Sequence, residues 1–540
     1  NQEAGMFAEV SLREAISGSS MDEWYMAMAT ELRSILQNDV WKLVDRPSDK
    51  KIVGSRIILT DKYQSDGLLK RKARIVARGF CQRPGLDFNE TFAPVARMSS
   101  IRLLIAIAAH YKMHVHQCDV KTAYLNSPIK EEIYMETPEQ LDEILEKLIS
   151  IENYKSDIRI KATKMLKKLK SGDKVCRLQK TIYGLKQSSR EWNTRIDKEL
   201  RRFGATASKA DSCIYYKGQG EAIFLIAVYV DDLIIASMDL NEIQRFKKHL
   251  NQAFEIKDLG EIKHCLGIEF SRNQDCIMLN QRSYIQHLIE RFNMTDAKPV
   301  KTPMETGFKL TKENETLRNK DNIPYRELLG CLMYLAVATR PDIAHAVSYL
   351  GQFNNDYGSA HWKAAKRILR YLKGSSDKML VYQSTQESLK GYVDADWGSC
   401  ITDRHSYTGF VFFFSRGPIS WESRKQRTVA LSSTEAEYMA LTEATKEAIH
   451  LRRFMQELGL KKFANTTVYN DSISAQKLAI NPMFHGRTKH IDIRYHFVRE
   501  ALKYNLIDLE YLCTEDMIAD VLTKALSADK HLKCTQSLVL

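Results

Sequence analysis

The 540-residue chain is too long for one hydrophobic core; at roughly 100–200 residues per domain it should hold about three to five units. Its formal charge of +13 at pH 7 suits a partner covered in phosphates. Ten scattered cysteines without a CxxC pair fit a reducing, intracellular setting rather than a disulfide framework, and no apolar run approaches the roughly 20 residues of a membrane span, so no membrane partner is expected. No signal peptide is visible, and the first residue is Asn1, so the chain reads as a piece of a larger polyprotein.

Residues 11–36 show a helical pattern, with Trp24, Met28, Leu32 and Leu36 four apart, and read as a packing arm without chemistry. Residues 55–80 read as two strands around a turn at Ser65-Asp66-Gly67. With period two, Lys70, Lys72, Arg74 and Arg78 share a strand face: a solvated face, or a clamp for a triphosphate or nucleic-acid backbone. An apolar helix at 101–110 leads into a strand that ends in Asp119. His114 and His116 lie on one face of it, but no second ligand pair stands at zinc spacing, so both read as structural. Residues 139–170 read as helical and lysine-rich, with Ile158, Ala162, Met165, Leu166 and Leu169 on one face; a surface insertion is preferred to a nucleic-acid contact.

At 222–237, AIFLIAVYVDDLIIAS reads as strand, tight turn, strand. Uncompensated carboxylates in such a hairpin cost several kcal/mol, on the order expected for a buried polar group. Paired at its tip, Asp231 and Asp232 make sense as holders of a hard cation; an ordinary Asp-containing turn is the alternative. Helices follow at 246–254, 284–292, 325–337, 343–353 and 360–372, with a short strand pair around Gly267 between the first two. The last helix carries Lys363, Lys366, Arg367 and Arg370 on one side, a stripe suited to a duplex backbone or merely solvated. From Leu389 the character changes. Strand with Asp394 and Asp396, two strands, capped helix with Glu435 and Glu437, strand ending at Asp471, and helix 517–526 with Asp520 fit an α/β nuclease module. Asp394 and Asp396 share a strand face, and Glu435 and Glu437 lie about 200° apart on a helix, so spacing leaves the first pair open and admits only one of the second.

Several segments together resemble the reverse transcriptase–RNase H region of copia-type LTR retrotransposons. They are KARIVARGF (72–80), ETFAPVAR (90–97), HQCDVKTAYLN (116–126), YGLKQSSREW (183–192), YVDD (229–232), GCLMYLAVATRPDI (330–343), 391–397, SSTEAEYMAL (432–441) and KHIDIRYHF (489–497). The resemblance implies an α/β (α+β) right-hand polymerase of fingers, palm and thumb, followed by an RNase H-like domain. Expected boundaries are a helical arm at 1–50, fingers and palm at 51–270, thumb and connection at 271–385, RNase H at 386–526 and a tail at 527–540.

The same resemblance implies roles. Asp119 and Asp231 are expected to hold two Mg2+ (or Mn2+) ions, with Asp232 auxiliary. Tyr124 is expected to be the aromatic gate against a ribose, Gln187 to lie beside the incoming nucleotide, and Lys72, Arg74 and Arg78 to lie in the triphosphate clamp. Asp394, Glu437, Asp471 and Asp520 are expected to hold two further ions in the nuclease. Implied partners are template RNA, DNA, RNA–DNA hybrid, primer RNA and dNTPs, with integrase and capsid proteins of the same element. The implied location is a cytoplasmic virus-like particle, with possible nuclear entry of the product complex. The segment 139–170 is longer than the family leads one to expect, and no histidine stands at 511–519, where retroviral enzymes carry one; slower or differently assisted product release is implied. Two other function classes fit parts of the chain: a domesticated or defective copy kept as a nucleic-acid-binding protein, and an RNA polymerase.

Overall fold

The apolar run before the paired aspartates becomes the strand Phe224–Tyr229, and the run after Asp231 becomes Asp232–Ser237. Their alternate residues serve two different cores. Leu225, Ala227, Ile234 and Ala236 pack with the helix Met98–His110. Phe224, Ile226, Val228, Leu233 and Ile235 pack with the helices Ser188–Arg202 and Leu240–Ala253. Covering both faces requires a continuous apolar sequence, which is why alternation is absent there. The coordinates are a computed structural model that describes residues 9–63, 69–311, 323–480 and 492–540.

This hairpin is the centre of a six-stranded sheet, the palm. Its order is Ile256–Glu261, His114–Val120, Asp232–Ser237, Phe224–Tyr229, Ile214–Lys217, Thr206–Ala207, with neighbours antiparallel. In the fingers, Ser55–Tyr63 and Leu69–Ala77 pair in antiparallel fashion. The helix Met21–Gln37 covers one face of that pair with Trp24, Met28, Leu32 and Leu36. The expected turn at 65–67 lies outside the described residues, as do 489–491 of the KHIDIRYHF segment.

Three expected elements differ. The arm is two helices, Leu12–Ser17 and Met21–Gln37, broken where Gly18 and two serines intervene. Residues 139–170 form two helices, Leu141–Ile151 and Asp157–Leu169: the first ends at Glu152, whose N–H donates to the Leu148 carbonyl, and Ser156 caps the second, its hydroxyl accepting the Ile158 N–H at 3.2 Å. Their apolar sides pack on the fingers core, and Lys161 bonds to Asp39 and the Leu36 carbonyl. Residues 517–526 form a short 3-10 turn, Ile518–Leu522, not a helix. All five residues of this turn are buried, so no side of it is left to solvent.

Beyond the palm, a four-stranded sheet and the helices Arg282–Arg291, Tyr325–Ala338, Ala344–Gly351 and Ser359–Lys373 lead to a five-stranded sheet. Its order is Gly417–Lys425, Tyr407–Phe414, Leu389–Ala395, Thr466–Asn470, Asp508–Tyr511; the first two pairings are antiparallel and the last two parallel. The helix Ser433–Glu457 packs on it. One apolar cluster runs from the helix Met98–His110 through the palm into this sheet, so the two halves share a core.

Candidate active sites

At the tip of the palm hairpin, Asp119 stands directly opposite Asp232 on the neighbouring strand. Directly opposed residues project from the same face, so both side chains point into one cleft. Asp231 occupies the turn itself, and its carbonyl accepts the Val120 N–H at 2.9 Å. Val230 holds a left-handed backbone with φ of 58°, unusual for a β-branched residue. The indole N–H of Trp192 donates to the Val230 carbonyl at 2.7 Å and secures the turn. Asp232 accepts a hydrogen bond from Gln117 Nε2 at 2.9 Å, so one of its oxygens is already engaged. The three aspartates are half-buried and offer only oxygen donors, the donor type that suits a hard divalent cation, but among the described residues their side-chain oxygens do not gather within 4.8 Å of one another as those of the second sheet do.

Tyr124 follows Asp119 through a 3-10 turn, Ala123–Asn126, entered by Thr122 at φ of 50°. Its ring meets Tyr183 edge-on at 5.2 Å and its hydroxyl accepts from Ser189 at 3.2 Å. A cavity of about 220 Å3 beside it is lined by Thr91, Ala93, Trp192 and Val230. Tyr183 in turn lies 5.2 Å beneath the Arg74 guanidinium. The basic strand is also joined to the 183–192 segment: Ala77 N–H donates to the Tyr183 carbonyl at 2.8 Å. Lys72 and Arg74 are half-buried on the cleft side of that strand, and Lys70 and Arg78 are exposed. Arg71 points the other way, to Glu23 at 3.0 Å and the Trp24 ring. The arm also supplies Glu31, whose carboxylate accepts the Ile75 N–H at 3.4 Å. Nothing in its sequence context signals that contact.

Gln187 differs from expectation. It is 2% exposed. Its oxygen accepts from Gln82 at 3.0 Å and its nitrogen donates to the Asp87 carbonyl at 2.9 Å. With both ends of the amide engaged, it orders the 82–87 loop. The basic helix Ser359–Lys373 also departs from a free stripe. Arg367 pairs with Glu305 at 2.5 Å, and Arg370 donates to the Lys298 carbonyl at 2.7 Å. Lys363 is exposed, and Lys366 lies over Trp362. Half of this stripe thus fastens the 298–305 segment.

In the second sheet, Asp394, Glu437 and Asp471 converge, with one oxygen of each within 4.8 Å of the others. Among the described residues this is the one such cluster. Asp394 ends a central strand, Glu437 lies in the first turns of the helix, and Asp471 follows the adjacent strand. The open alternatives separate by contacts. Asp396 accepts the Tyr407 N–H and Glu435 accepts the Leu431 N–H at 2.8 Å, as a helix cap. Glu437 is instead held by Asn470 Nδ2 at 3.1 Å and the Ala395 N–H at 3.4 Å. Burial raises the Asp394 carboxyl to about 6, with Lys524 opposing and Asp520 adding to the rise. Burial and the charges of Asp394 and Asp471 push Glu437 well above its ordinary value. Three crowded carboxylates of this kind fit a divalent cation, which would relieve both effects.

Asp520 lies next to this cluster but outside it. It is 2% exposed. Lys524 Nζ stands 2.7 Å from that oxygen, and Lys530 Nζ 3.2 Å from the other. The expected four-carboxylate set is three carboxylates plus a fourth enclosed by two lysines.

Residues 38–306 match the family described as reverse transcriptase (RNA-dependent DNA polymerase). The chain is 40% identical over 537 residues to a retrovirus-related Pol polyprotein from transposon TNT 1-94 of Nicotiana tabacum, covering 97% of this chain and 38% of that one. It is 31% identical to a putative transposon Ty5-1 protein of Saccharomyces cerevisiae, covering 61% of this chain and 99% of the relative. A solved foamy viral protease–reverse transcriptase in complex with RNA/DNA hybrid overlaps 89% of this chain and 52% of its own, at 14% identity and a TM-score of 0.46. The chain spans about a third of the length of the plant polyproteins it matches, 38% in the tobacco case. On the family match and these identities, the chain belongs to the reverse transcriptase family of copia-type retrotransposon Pol polyproteins.

Proposed function

We propose that this chain is a DNA polymerase that copies RNA and DNA templates, joined to a ribonuclease H that cuts the RNA of RNA–DNA hybrids. The observation that carries this reading is the presence of two separate carboxylate sites in one chain, Asp119 with Asp231 and Asp232, and Asp394 with Glu437 and Asp471. Bound Mg2+, two ions at each site with Mn2+ as a substitute, would neutralise developing charge and activate the attacking oxygen.

In the first site the primer 3′-oxygen attacks the α-phosphorus of a dNTP and pyrophosphate leaves. Lys72, Arg74 and Arg78 hold the triphosphate from the basic strand. Tyr124 presents a ring against the sugar, where a ribose 2′-hydroxyl would collide. Gln187 acts through the loop it orders. In the second site water attacks an RNA phosphodiester and the 3′-oxygen leaves. Asn470 and the Ala395 N–H orient Glu437, and the Thr523 hydroxyl donates to Asp394. Hybrid is chosen over duplex DNA because a wide minor groove exposes 2′-hydroxyls. Integrase and capsid proteins of the same element are the further partners this reading implies.

The test is a pair of substitutions assayed for primer extension on poly-rA and for hybrid cleavage. Asp231→Asn should lower extension by roughly 10²–10³-fold, the scale of losing a charge-stabilising group, and spare cleavage. Asp394→Asn should do the reverse. Both activities surviving in either variant would refute the two-site reading.

A further inference from the structure

Lys524 has no place in the four-carboxylate expectation, yet its ammonium lies at the junction of two of those carboxylates. Nζ stands 2.7 Å from Asp520 Oδ1 and 3.5 Å from Asp394 Oδ2. Both carboxylate side chains are 2% exposed. Lys530 closes the far side of Asp520 at 3.2 Å and is itself pinned by the carbonyls of Thr514 at 2.6 Å and Glu515 at 2.8 Å. Thr523, the residue before Lys524, donates to Asp394, and its Oγ1 lies 3.2 Å from the Asp520 carbonyl oxygen, which fixes where the lysine stem begins.

We propose that Lys524 is the resident cation of the hydrolytic site: it neutralises the Asp394–Asp520 pair, so the free protein takes up one divalent ion tightly, at Asp394, Glu437 and Asp471, and not two. The inference rests on the ribonuclease H reading above. Its physical basis is charge. A divalent ion placed between Asp394 and Asp520 meets an ammonium already there, and like charges a few ångströms apart at a poorly solvated site repel strongly. The Lys524 side chain is 39% exposed on a flexible stem, so an incoming phosphate offers it an alternative partner. Lys530, held by two carbonyls, lacks that freedom. Lys524 is thus a positioning residue that admits the second ion when nucleic acid arrives. It supplies a protonated amine to a site whose sequence lacks a histidine just before Asp520.

The experiment counts Mn2+ by the loss of the free-ion electron paramagnetic resonance signal. It uses the full chain carrying Asp119→Asn and Asp231→Asn to silence the polymerase site. One tight ion is expected with Lys524 in place, two with Lys524→Met or Lys524→Gln, and one again with Lys524→Arg. Adding Asp394→Asn to the silenced chain should remove the tight ion. In hybrid cleavage with the polymerase site intact, Lys524→Met should saturate at roughly tenfold less Mg2+ or lower, given the size of such a charge effect. Equal ion counts with Lys524 and with Lys524→Met, alongside measurable cleavage, would overturn the Lys524 inference alone. No tight ion and no cleavage in any of these proteins would overturn the ribonuclease reading and this inference with it.

Discussion

The Arg102 guanidinium lies 3.7 Å over the ring of Trp421, joining a palm helix to an edge strand of the second sheet. Arg102 is 3% exposed and donates to the carbonyls of Ile419 at 2.8 Å, Val337 at 2.5 Å and Ala338 at 3.0 Å. Trp421 donates to the Ala336 carbonyl at 2.8 Å. One side chain therefore fastens three regions that are far apart in sequence. Arg102→Ala removes a charged donor from three carbonyls and the contact with the ring, and should cost about 3 kcal/mol or more. Urea denaturation should show the loss, and extension and cleavage should fall together. A variant as stable as the parent would show the strap to be incidental.

Tyr124 packs at the edge of the palm core and is placed there by the Tyr183 ring and the Ser189 hydroxyl. Tyr124→Val should leave folding largely intact and relax sugar choice. The preference for dNTP over rNTP should drop by roughly 10-fold or more, the scale set by one lost shape contact. Single-nucleotide incorporation with matched dNTP and rNTP measures it. Unchanged selectivity would remove Tyr124 from the sugar site.

Gly184 shows how closely the fingers and palm segments approach. Its φ is +90°, and a Cβ there would sit 2.1 Å from the Ala77 carbonyl oxygen and 2.5 Å from Val76 Cγ1. Gly184→Ala meets both a backbone clash and a left-handed conformation. The expected outcome is loss of soluble, folded protein or a drop in melting temperature of many degrees. Gly330 and Gly351 have open space around them and no left-handed φ, and alanine there should cost far less.

Arg340 and Asp342 form an ion pair at 2.7 Å with side chains 1% and 0% exposed, and the Tyr371 hydroxyl donates to the same carboxylate at 2.6 Å. Burial alone would raise the Asp342 carboxyl. The Arg340 charge and the hydrogen bonds from Arg340 and Tyr371 outweigh it and hold the group at about 2, below the ordinary 3.8. A folded pKa below the unfolded one adds stability that is complete above about pH 4 and fades as pH falls toward 2. Asp342→Asn strands a buried guanidinium and should cost about 3–5 kcal/mol at pH 7. The gap between parent and variant in melting temperature should narrow at pH 3. A gap independent of pH would mean that Asp342 is not ionised in the fold.

Much of the site was readable because its chemistry restricts residue type. Asp119, Asp231 and Asp232 stand at the ends of apolar strands, where period-two patterning leaves little else to decide. The palm hairpin emerged with its turn one residue earlier than expected, at Val230–Asp231 rather than at the two aspartates, because Asp232 pairs with Tyr229 and opens the second strand. The arm and the 139–170 segment were readable in type but not in continuity. A serine that caps a helix looks, by composition, like any other surface position.

The amino-acid order determined which elements exist, which faces they bury, and which carboxylates terminate strands, since these follow from local periodicity and backbone preference. Only the folded chain decided what lies across from each face. It put Asp394 rather than Asp396 beside Glu437, turned Gln187 inward against Gln82, committed Arg367 and Arg370 to the 298–305 segment, and set Lys524 between two acids. The reason is reach. A lysine or arginine head sits several bonds from its backbone, so its partner is chosen by packing in three dimensions and leaves no mark in the spacing of the sequence.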